Sequence, residues 1–189
     1  GDFGAQMQLV NTAREESNQR VTLCDLNWTR LVQMRLALAQ FFDQPAGVAR
    51  LAEIKQVEID FAPGYRSTGV LLTGWLASQL GWLLDASETE NGLRFTDPSG
   101  QTVAVKLQEI AGDPVGRCSI FSGEMEFRVE DSVASDLLEI SHHVDGEERM
   151  RELMPASRNE PVALMREELM RGGPHRVYLR AVEAVRDLF

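Results

Sequence analysis

The chain has 189 residues, 43% of them hydrophobic, and a formal net charge of −10. That length suits one domain, or one domain with a docked appendage, and about 70% of the unfolded surface is buried at this size, so the core needs neither disulfides nor a metal. The acidic balance excludes the basic surface through which nucleic acids are bound, and it disfavours an anionic membrane. The 19 cationic side chains include only two lysines, Lys55 and Lys106, a skew that base composition explains more simply than anion binding. Cys24 and Cys118 lie far apart and outside any CxxC pattern, as expected of two buried small hydrophobes in a reducing, cytoplasmic setting. No signal or transit peptide is visible, and an opening Gly1-Asp2-Phe3 without methionine reads as a piece cut from a longer protein, Gly1 remaining from tag removal.

From the N-terminus, a thin apolar stripe (Met7, Leu9/Val10, Ala13) predicts a helix from about Ala5 to Asn18. The segment Asp25–Arg30 leads into an amphipathic helix with Leu31, Met34, Leu38 and Phe41 on one face, and Asp25 or Asn27 serves as its N-cap. That helix stops near Asp43, ahead of Pro45 and Gly47. From Lys55 to Phe61 the period falls to two, predicting a half-buried strand closed by the Pro63-Gly64 turn.

The stretch Val70–Leu84 is the centre of the chain. Leu72, Trp75, Leu76 and Leu80 recur at helical spacing, and Val70, Leu71 and Ala77 extend the apolar face most of the way round. Gly74, inside this helix, predicts another backbone passing close by. Gly81 reads as a left-handed C-cap, with a strand entering at Trp82. A membrane span needs about 20 apolar residues, more than this stretch supplies.

Next come alternating strands. Leu93–Phe95 and Val103–Leu107 form a hairpin around the Asp97–Gly100 turn, and Cys118–Phe121 pairs with Met125–Val129 around Ser122-Gly123. Leu138, Ile140, His142 and Val144 supply one more face. Asp145–Arg158 reads as a charged loop with a short helix at Glu147–Leu153. Asn159 caps a helix to Arg171, Gly172-Gly173-Pro174 ends it, and a last helix runs from His175 to Leu188. The expected fold is α+β: a largely antiparallel sheet with one strand–helix–strand unit, its crossover right-handed, helices mainly on one face, and two C-terminal helices. We read residues 1–189 as a single domain, with an N-terminal helical segment (1–24), a core (25–144) and a C-terminal helical segment (145–189).

Chemistry is sparse. His142 and His143 are adjacent on a strand and point to opposite faces, so they cannot share one metal ion, and no metal or cofactor is expected. Glu58 and Asp60 read as solvated charge on an exposed strand face, and Glu147-Glu148 and Glu167-Glu168 as solubilising charge. No nucleophile elbow, P-loop or dinucleotide fingerprint is present, so a hydrolase or isomerase ranks last. The polar residues that draw interest are Trp28 with Arg30 at a helix start, Arg94 between Leu93 and Phe95, and Glu126 with Arg128 on one strand face. They read either as an exposed sheet face with ion pairs or as a surface where Arg30, Arg94 and Arg128 converge on an anion or a partner carboxylate. Trp75, Gly74, Gly81 and Trp82 read as structural core.

Several stretches resemble the OpcA family, the glucose-6-phosphate dehydrogenase assembly proteins of cyanobacteria and actinobacteria. They are Asp25–Arg30 (DLNWTR), Leu36–Asp43 (LALAQFFD), Leu71–Trp82 (LLTGWLASQLGW), the Glu126–Arg128 strand, and Val177-Tyr178 with Ala181. DLNWTR looks like the cyanobacterial form. The resemblance implies a non-catalytic effector that binds glucose-6-phosphate dehydrogenase, aids its assembly and activates it for the oxidative pentose phosphate pathway. It also implies a further N-terminal region, and it places any thioredoxin-linked control outside this segment, since Cys24 and Cys118 form no close pair. The alternative is a regulatory module holding a sugar phosphate or nucleotide through clustered arginines. Either reading leaves a homo-oligomer open.

Overall fold

The computed structural model describes residues 8–9, 12, 25–43, 45–85, 92–132, 136–157, 159–171 and 176–188. Its elements run α1 (Leu26–Arg30), α2 (Val32–Phe42), α3 (Pro45–Arg50), β1 (Ile54–Phe61), α4 (Arg66–Leu80), β2 (Leu83–Leu84), β3 (Leu93–Thr96) and β4 (Thr102–Glu109). They continue with β5 (Arg117–Ser122), β6 (Met125–Asp131), β7 (Leu137–Val144), β8 (Glu147–Pro155), α5 (Pro161–Arg171) and α6 (Arg176–Ala184). Residues 8, 9 and 12 are helical, and the remainder of the helix expected over Ala5–Asn18 lies outside the described residues, as do Cys24 and His175.

The eight strands form one sheet in the order β2-β3-β4-β1-β5-β6-β7-β8. Among the described residues only β1 and β4 pair in parallel; every other neighbour is antiparallel. The fold is therefore α+β with a largely antiparallel sheet. Following the pairings outward, β2 runs parallel to β1 but three places away, because the β3–β4 hairpin inserts between them. The strand–helix–strand unit thus spans two intervening strands.

Period-two patterning decides which face is covered. Val57, Ile59, Val103, Val105, Cys118, Ile120, Phe127, Val129, Leu138 and Ile140 are all buried in a continuous core. Phe42 of α2 meets Phe127 edge-on at 5.8 Å between centroids. Burial pushes the Cys118 thiol up to about 12, so it behaves as an inert hydrophobe.

Helix α4 is covered on both sides, and its glycines show by what. Residues 69 and 74 are five apart, which on a helix places them about 140° from one another. Gly69 faces the sheet, where a Cβ would lie 3.4–3.7 Å from Leu107, Phe61 and Ile59. Gly74 faces α6, where a Cβ would collide with the Ala181 carbonyl oxygen. Gly81 closes α4 in the left-handed conformation (φ 69°), and Trp82 is buried against Phe95.

Three elements differ from expectation. The helix after Asp25 breaks at Leu31: the Leu31 amide donates to Trp28 O (3.2 Å), and the Arg35 guanidinium adds second hydrogen bonds to Trp28 O and Leu31 O across the break. The stretch expected to hold a short helix, Glu147–Leu153, is strand β8. Its register is set by Asp145-Gly146, both with positive φ as a two-residue hairpin turn demands, which overrides the helix-like charge spacing of an edge strand. Glu58 and Asp60 are not loosely solvated charge. Glu58 takes Lys106 at 3.1 Å, and Asp60, 8% exposed, takes Arg117 at 2.7 Å, making a cross-strand ion-pair network on the open face.

Candidate functional site

The Asp25–Arg30 segment ties four parts of the chain together. Asp25 Oδ1 caps α1 by accepting from the Asn27 and Trp28 amides, and its Oδ2 accepts from the Tyr178 hydroxyl of α6 at 3.0 Å. Burial, with the Asp25 charge beside it, raises the Tyr178 phenol well above its ordinary range. Asn27 accepts from Arg30 Nη1 (2.7 Å) and donates to Ser67 of α4. Trp28, 4% exposed, packs edge-on against Tyr178 and carries the Arg35 guanidinium 3.5 Å from its ring centroid. Thr29 donates to Glu168 Oε2 of α5 at 2.7 Å, and both are buried. Glu168 is therefore a structural acceptor and not solubilising charge.

Arg30 borders a small crevice. Its guanidinium sits 5.2 Å from the Tyr65 ring centroid, and its Nε is buried with no hydrogen-bond partner among the described residues. The crevice is shared with Thr68, whose hydroxyl is fully buried and likewise unpartnered, and with Asp131. Burial, then the neighbouring Asp113 charge, pushes the Asp131 carboxyl up to about 7. With about 20 Å³ of room the crevice accommodates a water or two, not a metabolite. Ser157 and Asn159 line it and also line a broad open groove of about 1270 Å³ between the start of α5, the end of β8 and the Asp113 loop.

The residues singled out from sequence do not converge. Trp28 belongs to the core. Arg94 is exposed on β3. Arg128 forms a two-pronged contact to Glu126 Oε1 (2.9 and 2.8 Å) on β6. Strands β3 and β6 are four places apart in the sheet, roughly 19 Å at ordinary strand spacing, and Arg30 lies on the helical side. Trp75, at 9% exposure, and Gly74 sit where α4 meets its neighbours. Two features escaped sequence reading. Asp131 shares the in-facing parity of Met125, Phe127 and Val129, which placed a carboxylate on an apolar face. On α5, the choice of inward face was not readable, since Leu164 and Glu168 go in while Val162, Met165 and Leu169 stay out.

Among the described residues no group of three His, Cys, Asp or Glu side chains could hold a metal ion, and no helix is long and apolar enough to cross a membrane. The profile of the OpcA family, described as the C-terminal domain of a glucose-6-phosphate dehydrogenase subunit, matches residues 21–182. The chain belongs to this family. Among its OpcA relatives, the OxPP cycle protein OpcA of Synechococcus elongatus is 32% identical over 114 residues, covering 57% of this chain and 25% of that protein. The protein of the same name from Nostoc punctiforme is 33% identical over 111 residues, covering 56% of this chain and 23% of its own length. The chain thus spans about a quarter of these relatives. Among solved structures, an aldose-aldose oxidoreductase from Caulobacter crescentus complexed with glycerol shares the fold at a TM-score of 0.50 and 11% identity, covering 97% of this chain and 64% of that one.

Proposed function

We propose that this chain is a non-catalytic partner of glucose-6-phosphate dehydrogenase, one that binds the enzyme, aids its assembly and raises its activity in the oxidative pentose phosphate pathway, in the cytoplasm. The observation that carries this reading is the family match over residues 21–182, whose description names a dehydrogenase subunit. The relatives named as OxPP cycle proteins support the same pathway. The competing reading, a sugar-phosphate or nucleotide site built on clustered arginines, loses its basis once Arg30, Arg94 and Arg128 are seen on separate parts of the fold.

The test is titration of the cognate dehydrogenase with this chain, following complex formation by calorimetry and the rate of glucose 6-phosphate oxidation in the same mixtures. A saturable complex with a raised rate is expected. Heat on mixing the chain alone with glucose 6-phosphate, 6-phosphogluconate or NADPH, with none on mixing it with the enzyme, would overturn the reading.

A further inference from the structure

Helix α5 carries an exposed apolar ridge on its outward face. It buries Leu164 and Glu168, the latter held by the Thr29 hydroxyl, and leaves Val162, Met165, Leu169 and Met170 at 79%, 54%, 77% and 78% exposure. Residues 162, 165 and 169 fall within about 60° of one another on the helix, and Met170 flanks them. The hydrogen bond from Thr29 holds the rotation of α5, since turning the ridge inward would break that bond and bring the fully buried Leu164 out to water. A contiguous apolar surface of this kind on an otherwise acidic chain marks an interaction site.

The ridge has an acidic border. Val162 and Met170 also line the adjoining groove; its described lining residues include the carboxylates of Asp113, Asp136, Glu160 and Glu167 and the guanidinium of Arg166. A second copy of the chain is a poor occupant, because a two-fold pairing on this surface would set the same carboxylates against each other. An amphipathic segment with apolar residues on one face and lysines or arginines beside them matches both features at once. The methionines can repack around such a segment.

We propose that α5 and the groove beside it dock a basic amphipathic segment of the dehydrogenase. This rests on the partner reading above, and it names the surface that reading left unassigned.

The experiment measures the affinity of the cognate dehydrogenase for the parent chain and for Leu169→Glu, Glu160→Lys and Leu83→Glu. Leu83 is a control, 72% exposed on the edge strand β2, at the opposite edge of the sheet from β8, whose end borders the groove. Thermal unfolding and sedimentation are recorded on the same samples. Leu169→Glu and Glu160→Lys should each weaken binding at least about tenfold without lowering the melting point by more than a few degrees, Leu83→Glu should bind as the parent does, and parent affinity should fall with added salt. Parent-like binding by both Leu169→Glu and Glu160→Lys would overturn the surface assignment while leaving the partner reading standing. A parent chain that self-associates, is made monomeric by Leu169→Glu, and keeps its enzyme affinity would reassign the ridge to a second copy. No complex between the parent chain and the enzyme would remove the partner reading and this inference with it.

Discussion

Gly74→Ala should destabilise the protein even though alanine is the better helix former. In an ordinary helix interior this change stabilises by about 1 kcal/mol. Here the new Cβ would collide with the Ala181 carbonyl oxygen, lie 3.0 Å from the Ala181 carbonyl carbon and 3.1 Å from Val185 Cγ2. The first two are backbone and cannot swing aside, so α6 must back away and open the contact between α4 and α6. Overpacking of that kind costs about 1–3 kcal/mol, sometimes more, which outweighs the propensity gain. Gly69→Ala provides the internal comparison. Its Cβ would meet only side-chain atoms at 3.4–3.7 Å, ordinary contact, so the propensity term should dominate and the variant should be neutral or up to about 1 kcal/mol more stable. Urea unfolding of the two variants and the parent, followed by tryptophan fluorescence, decides the matter, with a gap of about 1–3 kcal/mol between the glycine variants expected, since the propensity gain is common to both. Equal or greater stability of Gly74→Ala would refute the close crossing of α6 over α4.

Trp28→Ala should cost about 3–5 kcal/mol in the same assay, with enzyme binding lost only in proportion to the unfolded fraction; weakened affinity of a fully folded variant would restore Trp28 as a contact residue. Thr29→Val removes the donor to the buried Glu168 and should cost about 1–3 kcal/mol, whereas an unchanged denaturation midpoint would show that Glu168 has an adequate substitute. Asp131 holds its proton up to about pH 7 when folded but only to about pH 4 when unfolded, so its contribution to stability is full at the acidic end and declines as pH rises through that window. Asp131→Asn should therefore flatten the fall in stability between about pH 4 and 7, and identical pH slopes for variant and parent would contradict the burial of this carboxyl.

Local patterning carried most of the sheet. The alternation at Lys55–Phe61, the two hairpins around Asp97–Gly100 and Ser122–Gly123, and the strand through His142 are where periodicity placed them, because each turns an alternating apolar set to the core and sets polar residues on the other face. Gly74 foretold a close backbone because glycine in a helix interior is unfavourable without such a reason. The edge strand β8 was not legible: neither of its faces is deeply buried, so no alternation was written into it, and the Asp145-Gly146 turn was its one signal. The order of strands was out of reach as well, since the parallel pairing of β1 with β4 joins segments separated by α4 and β3. For the candidate site, Trp28 and Arg30 were picked out as an aromatic–arginine pair at a helix start, and their contacts within the fold were not readable: the segment Asp25–Arg30 reaches Tyr178, Ser67, Arg35, Glu168 and Tyr65, all distant or out of sequence pattern. The apolar ridge of α5 stayed hidden because burial of Glu168 depends on Thr29, 139 positions away.

Docking of the chain onto the dehydrogenase through α5 is tested most directly by hydroxyl-radical labelling of methionines in the free chain and in its complex with the enzyme. Met165 and Met170, 54% and 78% exposed, should label readily in the free chain, and Met34, at 4%, should not. In the complex, labelling of Met165 and Met170 should fall severalfold while that of Met150 on β8 is unchanged, and equal labelling of Met165 and Met170 in the two states would contradict docking through α5.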